Sequence, residues 1–138
     1  LSQFAKKHNI PTAQTVMGYS SMKKDDPYFL GAIGGFGGKA PNDFMKKTDL
    51  AISIGTKLAD FTTGSWSNFE NPNFKLVSIN VSRFDANKHM AQSIIGDAKV
   101  SIQDLTRALG NWKSPDDWYK KSRKELLKKY TSVKKHSS

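Results

Sequence analysis

The residues best suited to chemistry lie in a polar segment, residues 56–74, that directly follows a short apolar run. It begins with two charged side chains, Lys57 and Asp60, and continues with hydroxyls around a glycine at residues 62–65, beside Trp66. Hydroxyls, a glycine and an indole suit a sugar-like or nucleotide ligand. A surface loop pinned by its aromatic side chains explains the same residues equally well, so both interpretations stay open.

A glycine-rich segment is the second candidate, because five of the eight residues 31–38 are glycine. Pro41 predicts a short helix just after it, and a helix N-terminus behind a glycine loop offers free N–H groups to an anion. The spacing fits neither the dinucleotide fingerprint nor the P-loop, whose final GK[ST] is absent. Tight packing of a helix against a strand is the alternative explanation of these glycines, and we prefer it.

Other catalytic arrangements are not evident. His8, His89 and His136 lie far apart without ligand spacing, so we predict a surface or packing role for each. No Ser-His-Asp set or pair of carboxylates stands out. The segment Gly96–Asp97–Ala98 faintly resembles a diphosphate–metal motif, but Asp97 as a helix cap explains it more simply. We therefore predict no catalytic residue and no metal site in this chain.

Two kinds of element alternate along the chain. We predict strands where apolar or β-branched residues cluster: residues 12–16, 50–54, 75–81 and 93–95. The nearly all-apolar run 50–54, which ends at Gly55, is typical of a strand buried on both faces of a parallel sheet. The alternation predicts an α/β fold with a parallel sheet. Right-handed crossovers would bring the loops after residues 54 and 81 to one edge, where ligands bind in such folds.

Four helices are predicted between and after these strands. Residues 1–8 show helical spacing, and a short helix follows Pro41. Asp97 caps a third helix, which Gly110 ends and whose apolar side consists of Ile102, Leu105, Ala108 and Leu109. A last helix begins at residues 114–117, where a capping hydroxyl, a proline and two acids occur together. Its narrow apolar stripe consists of Trp118, Leu126, Leu127 and Tyr130.

The composition is that of a globular chain. Its 138 residues are enough for one domain with a real core, and 37% of them are hydrophobic. No apolar run approaches the length of a membrane span, so we expect no membrane partner. The absence of cysteine excludes disulfides and thiolate chemistry and is compatible with a cytoplasmic location.

The formal charge of +10 could indicate a nucleic-acid partner, so the location of the charges matters. Nine of the 22 Lys and Arg residues, but only three of the 12 acids, lie in residues 110–138. The rest of the chain then carries only +4. Because the excess belongs to a terminal helix and tail, we expect solvated lysines there and no nucleic-acid binding.

Three blocks of sequence resemble a known family: LGAIGGFGGKAPNDFMKKTDLAISIGTKLADFTTGSW, LVSINVSRFDANKH and IIGDAK. Their order and spacing are similar to the central domain of thiamine-diphosphate-dependent enzymes of the acetolactate synthase type. The resemblance covers about residues 1–110. Within the family, DFTTGSW and NVSRFDANKH are most similar to the inositol-catabolic branch, which opens a cyclic diketone. The fold so implied is a three-layer, Rossmann-like parallel sheet with helices on both faces, its first strand missing here.

The resemblance implies a three-part enzyme in which this chain is the middle part. Residues 1–110 would be the trimmed central domain, and residues 111–138 a helix and basic linker toward the diphosphate-binding domain. The family's activating glutamate and its GDG…N metal motif lie in the other two domains and have no match here. Thiamine diphosphate and Mg²⁺ would therefore belong to a full-length parent, a homodimer or tetramer. This chain alone would neither bind them nor catalyse.

In flavin-containing relatives the central domain holds the adenine dinucleotide, and the resemblance transfers that crevice to these positions: Gly34, Gly37, Gly55, Lys57, Asp60, Thr63, Gly64, Asn80, Ser82 and Arg83. Lys57 stands where the relatives have an arginine that contacts the cofactor. Asn80 and Ser82 stand where they have two aspartates. Because carboxylates are good ribose acceptors, we expect no tightly bound FAD, whereas residual binding of ADP or another nucleotide stays open.

Two other functions remain as alternatives. One is the central domain of a different acetolactate synthase-like enzyme. The other is a stand-alone nucleotide- or NAD-binding module, since related central domains share their fold with NAD-dependent deacylases. Deacylase chemistry needs a well-placed histidine, and His89 is the only internal candidate.

Overall fold

The structure, a computed structural model, describes residues 1–135, with side chains for residues 1–124, 126 and 127. It divides into two compact units, which we describe separately. The first consists of Leu1–Phe44 and the segment that begins at Asn111, and the second of Met45–Gly110. Parallel strands flanked by helices build both units, which confirms the predicted α/β class, although the strands form two sheets of two and three strands.

The elements of the first unit follow in chain order: α1 (Ser2–His8), β1 (Thr12–Gln14), a 3₁₀ turn (Val16–Gly18), β2 (Phe29–Ala32), the start of α2 (Lys39–Lys47), and α6 (Asp116–Lys135). Strands β1 and β2 pair in parallel, with Thr12 opposite Phe29. The predicted strand at residues 12–16 is thus confirmed but is shorter than expected. It ends early because the Thr15 side chain accepts a hydrogen bond from the Gly18 amide and starts the 3₁₀ turn.

Strand β2 was not predicted from the sequence. It has only four residues, two of them ahead of the glycine-rich segment, and so shows no measurable periodicity. Its partner supplies the missing stabilisation, because a two-stranded ladder satisfies backbone groups that short strands cannot satisfy alone. Both large apolar residues of this strand, Phe29 and Leu30, are buried.

The core of the first unit forms between strand β2 and helices α2 and α6. Leu30, Phe44 and Leu126 are its buried members, and Trp118 packs on Phe44 with ring centroids 4.3 Å apart. The apolar stripe predicted for the last helix is confirmed at Trp118 and Leu126. Leu127 is half exposed and does not belong to it, and the side chain of Tyr130 lies outside the described residues.

The end of helix α1 is tied to the segment that leads into α6. Asn9 adopts the left-handed conformation with φ 55° that often ends helices, and its side-chain amide donates to the Asp116 carboxylate at 3.1 Å. The Ser114 hydroxyl, which we expected to cap α6, donates instead to the Asn9 carbonyl at 2.8 Å. His8 is fully buried and its Nδ1 donates to the Trp112 carbonyl, so its predicted packing role is confirmed.

Tyr119 makes a second link within this unit. Its ring stacks on Tyr28 with centroids 4.5 Å apart, and its hydroxyl donates to the Pro27 carbonyl at 2.6 Å. Burial raises the pKa of Tyr119 above its ordinary value of 10.0; the charge of Arg123 opposes this effect, while the nearby Tyr28 and Asp26 support it. The folded unit therefore favours the protonated phenol, which is the form that can donate this hydrogen bond.

The stability conferred by Tyr119 should depend on pH in the alkaline range. Because its pKa is raised in the folded state, the contribution is complete below pH 10.0 and is lost as the pH rises through the folded pKa. Tyr119→Phe should therefore cost about 1 kcal/mol at pH 8, as expected for one hydrogen bond. This difference should shrink at pH 11. Urea unfolding of both proteins at the two pH values measures it, and an unchanged difference would contradict the assignment.

The second unit contains the remaining elements: the end of α2, β3 (Leu50–Ile54), α3 (Asp60–Thr63), β4 (Lys75–Asn80), α4 (Arg83–Ala86), a 3₁₀ turn (Lys88–Met90), β5 (Gln92–Ile95) and α5 (Ala98–Leu109). The three strands pair in parallel in the order β3–β4–β5. Leu50 lies opposite Lys75, and Val77 opposite Gln92. All three strands were predicted, and their bounds differ from the predicted ones by one residue at most.

Strand β4 is the buried strand of this sheet, not β3. Ile79 and Ser78 of β4 are buried, whereas Leu50 of β3 is half exposed. The prediction that residues 50–54 are buried on both faces is therefore wrong. Its apolar sequence would suit a central strand, but β4 has a strand on each side and β3 pairs only with β4 in this sheet.

Helix α5 begins and ends as predicted. The Asp97 carboxylate accepts from the Val100 amide at 3.0 Å, and Gly110 with φ 56° ends the helix. Its apolar side is only half-buried against β4, and Ala108 is exposed. No helix in the described part of the chain has the length and apolar character needed to cross a membrane.

Candidate functional site

The carboxyl ends of β3 and β4 meet at one edge of the second unit's sheet. Ile54 lies opposite Ile79, and the Gly55 amide donates to the Ile79 carbonyl at 2.9 Å. Just beyond, the Asn80 side-chain amide donates to the Thr56 carbonyl at 3.2 Å. The expectation that the segments after the two strands lie at one edge is therefore confirmed.

Gly55 makes the turn that starts this edge. It adopts the left-handed conformation with φ 64°, which a residue with a side chain rarely takes. A Cβ atom built there would meet no atom within 4 Å, so the glycine is needed for its backbone conformation. The space beside it is open, which is compatible with close approach of another molecule.

Asn80 and Ser82 hold the chain at the end of β4. The Asn80 side chain is buried, and its Oδ1 accepts from the Ser82 amide at 2.9 Å while its Nδ2 donates to Thr56. The Ser82 hydroxyl accepts from the Asp85 amide at 3.3 Å and so caps helix α4. Both polar groups of Asn80 bond the backbone, so a ribose could be accepted there only at the expense of these contacts.

Asn80→Asp should therefore destabilise the fold. The substitution replaces the amide that donates to the Thr56 carbonyl by a carboxylate oxygen, which cannot donate and carries charge into a buried position. We expect a loss of about 2 kcal/mol in the free energy of unfolding, the usual cost of a buried polar group without a partner. Urea unfolding at pH 7 measures this loss. Asn73→Asp at an exposed position is the control and should stay within about 0.5 kcal/mol of the parent.

Among the hydroxyls of residues 62–65, that of Thr63 serves the turn, whereas Ser65 is exposed. Thr63 is buried, and its hydroxyl donates to the Asp60 carbonyl at 3.3 Å and accepts from the Trp66 amide at 3.1 Å. Gly64 has φ 58°, and a Cβ atom there would lie 2.9 Å from the Ser67 hydroxyl. Thr63 and Gly64 therefore have structural roles that need no ligand.

Trp66 belongs to an aromatic cluster of this unit. Its ring centroid lies 4.7 Å from that of Phe69 and 4.2 Å from that of His89. Nε2 of His89 donates to the Leu58 carbonyl at 3.0 Å, which joins the turn before β5 to the loop after β3. The cluster favours the pinned-loop interpretation of the segment, with Trp66 as its anchor, whereas Phe61 is half exposed.

Charged side chains lie near this edge, and two of them form an ion pair. Lys57, Asp60 and Arg83 are exposed. Asp85 and Lys88 form an ion pair of 2.8 Å on the short helix after β4 and the turn that follows it. The Lys88 ammonium lowers the pKa of Asp85 below its ordinary value of 3.8; burial opposes this effect, while Ser82 and the charge of Lys57 support it. Asp85 is thus a stable anion at neutral pH and not a proton donor.

The predicted residues Gly34 and Gly37 lie in the first unit. The Gly34 amide donates to Asn42 Oδ1 at 2.9 Å, and the Asn42 amide donates back to the Gly34 carbonyl at 3.1 Å. The amides of Gly37 and Gly38 donate to the carbonyls of Gly34 and Ala32. Because these N–H groups already donate hydrogen bonds within the first unit, they are not free to bind a phosphate. The glycines therefore favour the tight-packing interpretation over a phosphate-binding loop.

Sequence reasoning missed three exposed apolar side chains of the second unit. Val81, Phe84 and Met90 are all strongly exposed. Val81 follows β4, Phe84 lies in helix α4, and Met90 lies in the 3₁₀ turn before β5. Apolar residues in loop segments between two strands were the available indication. Without contacts, however, the sequence could not tell whether they are buried.

The side chains at hand do not build a metal centre. Nowhere in the described residues do three His, Asp or Glu side chains come together in a way that could hold a metal ion, and the sequence has no cysteine.

Comparison with known protein families shows to which family the chain belongs. The model of the thiamine pyrophosphate enzyme central domain matches residues 1–105. The chain belongs to this family. The resemblance noted in the sequence is thereby confirmed, since thiamine pyrophosphate and thiamine diphosphate are the same compound, and the two parallel sheets are compatible with this domain.

Three relatives with the same name illustrate the similarity. The 3D-(3,5/4)-trihydroxycyclohexane-1,2-dione hydrolase of Clostridium perfringens is 43% identical over 140 residues, which cover 97% of this chain. An enzyme of that name from Clostridium botulinum is 41% identical over the same share. Hydrolase 2 of that name from Bacillus cereus is 43% identical over 79% of the chain and 17% of its own length.

The chain spans about a fifth of the length of these relatives, with 22% of the two clostridial enzymes matched. The sequence-based similarity to this branch of the family is confirmed by these identities. The similarity extends beyond the part matched by the family model, because it covers nearly the whole chain.

Proposed function

We propose that this chain is the central domain of a longer thiamine-diphosphate-dependent hydrolase that opens the ring of trihydroxycyclohexane-1,2-dione in inositol catabolism. Its role there is a scaffold, and the catalytic groups and the site for thiamine diphosphate and Mg²⁺ lie on other domains of the polypeptide. The observation that carries the proposal is the identity of 43% over 97% of the chain with an enzyme of that name.

The chemistry of the carboxyl edge supports a scaffold role. Two of the polar side chains predicted for a site are committed to the fold: Asn80 bonds the backbone with both its polar groups, and the Thr63 hydroxyl closes its own turn. The Asp85 carboxylate is paired with the Lys88 ammonium.

The proposal also covers ligand binding at this edge. Asn80 and Ser82 stand where flavin-binding relatives have carboxylates, and both are used in backbone hydrogen bonds. We therefore propose that the ten positions predicted for the dinucleotide crevice do not hold FAD. A nucleotide that binds this chain would be held by its phosphates near Lys57. Calorimetric titration with ADP, FAD and NAD tests this point. Saturation by FAD at micromolar concentration would overturn it, and tight NAD binding would favour a nucleotide-binding module.

Activity assays separate the scaffold role from catalysis. The 138-residue chain, supplied with thiamine diphosphate and Mg²⁺, should not open the cyclic dione, while the longer polypeptide encoded around it should. The consumption of the dione is followed by chromatography under identical conditions. Turnover by the short chain alone would show that catalytic groups lie within it. An inactive longer polypeptide with intact fold would contradict the assigned substrate.

The same proposal includes the setting of the parent enzyme. We place it in the cytoplasm, as a homodimer or tetramer, with a domain boundary near residue 110. Gel filtration of the longer polypeptide with light scattering tests the assembly. A monomer under assay conditions would contradict that part of the proposal and leave the substrate assignment unaffected.

A further inference from the structure

Left-handed backbone conformations concentrate around one contact of the second unit. Seven residues other than glycine have a left-handed φ in the described part of the chain, and five of them lie on two segments that meet at this contact. Such conformations are disfavoured for residues with a side chain and persist where the surroundings fix them. The five residues are Leu58 (φ 46°), Ser65 (50°) and Trp66 (71°) in the segment 56–74 after β3, and His89 (58°) and Met90 (55°) in the turn before β5.

The side chain of His89 joins these two segments. Its ring stacks on Trp66 with centroids 4.2 Å apart and an angle of 26° between the planes. Its Nε2 donates to the Leu58 carbonyl at 3.0 Å. Both partners of the imidazole are thus left-handed residues of the opposite segment. The two contacts hold disfavoured backbone conformations in place on both sides, and we call them together the imidazole latch.

Each segment also has bonds of its own that do not involve the imidazole latch. On one side, the Thr63 hydroxyl accepts from the Trp66 amide and closes its turn. On the other side, Lys88 pairs with Asp85 at 2.8 Å. The ladder between β3, β4 and β5 lies outside both segments. Loss of the imidazole latch would therefore separate two formed segments and leave the sheet intact.

We propose that the imidazole latch is a conformational switch, in which His89 holds the segment after β3 closed against the turn before β5 in a strained backbone conformation. In the second state the imidazole is released, the left-handed residues return to favoured φ values, and the segment moves away from the turn. A strained and a relaxed arrangement of the same residues form such a two-state element. Lys57 directly precedes Leu58, so the switch sets the position of this cation at the carboxyl edge. This inference does not depend on the proposed function.

NMR relaxation dispersion on the full 138-residue chain tests the inference, because it detects exchange with minor states on the μs–ms timescale. We expect the amides of residues 57–66 and 88–90 to exchange at one common rate, and those of residues 75–80 to show no exchange. His89→Ala removes both contacts of the imidazole latch and leaves the backbone strain unopposed. In this variant the amide shifts of residues 57–66 should move to those of the minor state.

Met90→Gly distinguishes a switch from a passive anchor. The side chain of Met90 is 99% exposed, so the substitution removes no buried contact, and glycine adopts a left-handed φ readily. The closed state is therefore stabilised. The population of the minor state should fall about threefold, because the strain relieved exceeds the entropy that glycine adds to the open state. Asn73→Gly, at an exposed position of the same segment without a left-handed φ, is the control and should leave this population unchanged.

Three results would overturn the inference. The first is the absence of a common exchange process in residues 57–66 and 88–90. The second is a set of shift changes in His89→Ala that is confined to the chain neighbours of His89 and the ring of Trp66. The third is a minor-state population that stays unchanged or rises in Met90→Gly, since glycine then relieves no strain and the imidazole is a passive anchor.

Discussion

Gly37→Ala is expected to lower the free energy of unfolding by about 3 kcal/mol, the upper part of the range for overpacking a tight site. A Cβ atom at this position would lie 2.5 Å from the carbonyl oxygen of Ala32 and 2.6 Å from Cα of Ile33. Both are backbone atoms at the end of β2, so no side chain can move aside. The loop would have to shift and would lose the bond from the Gly37 amide to the Gly34 carbonyl.

Gly38→Ala is the matched control in the same loop. There the new Cβ atom would meet only the Pro41 ring, 3.2 Å from its Cδ, and a small movement of that ring relieves the contact. We expect a change below about 1 kcal/mol. Urea unfolding followed by circular dichroism compares the two variants. Equal stability of both would show that the close approach of Gly37 to β2 does not occur.

Ile79→Ala should cost about 3 kcal/mol, within the range for truncating a buried aliphatic side chain. Ile79 is 0% exposed and lies in the middle strand of its sheet, opposite Ile54 on one side and Ile94 on the other. Removing its outer carbon atoms leaves a cavity beside the middle strand. The neighbouring strands cannot move in to fill this cavity without breaking their hydrogen bonds to β4. The lost burial and the cavity therefore both contribute.

Ile95→Ala is the control for this substitution. The residue belongs to the neighbouring strand β5 but is 46% exposed, so the same change removes less buried surface. We expect a loss below about 1.5 kcal/mol. Thermal and urea unfolding measure both variants. If Ile95→Ala were the more damaging of the two, the assignment of β4 as the buried strand would be wrong.

Polar side chains at the carboxyl edge have two different roles. Asn80 and Thr63 are buried and bond the backbone, whereas Lys57, Asp60 and Arg83 are exposed. A small-molecule site usually has apolar walls with a few polar groups aimed at the ligand. The buried polar groups of this edge therefore serve the fold, and only its charged side chains face outward.

The strand and helix positions were largely predictable because local pattern fixes them. Residues 75–81 and the helix after Asp97 carry apolar spacing and capping residues that need no tertiary partner to be recognised. Strand β2 was missed for the opposite reason, since four residues beside a glycine-rich segment form a strand only when β1 is present to pair with them. The Ser114 hydroxyl was misassigned because its partner, the Asn9 carbonyl, lies 105 residues away in the sequence.

Residue types by themselves determined the α/β class, the edge at which the loops after β3 and β4 meet, and the family, since periodicity and block order are properties of the chain. Tertiary structure alone decided that β4 and not β3 is buried, that Asn80 and Thr63 serve the backbone, and that Phe84 and Met90 face solvent. The physical reason is that burial and hydrogen-bond partners are relations between distant residues. The type of a polar residue does not show whether its side chain bonds a ligand or the protein's own backbone.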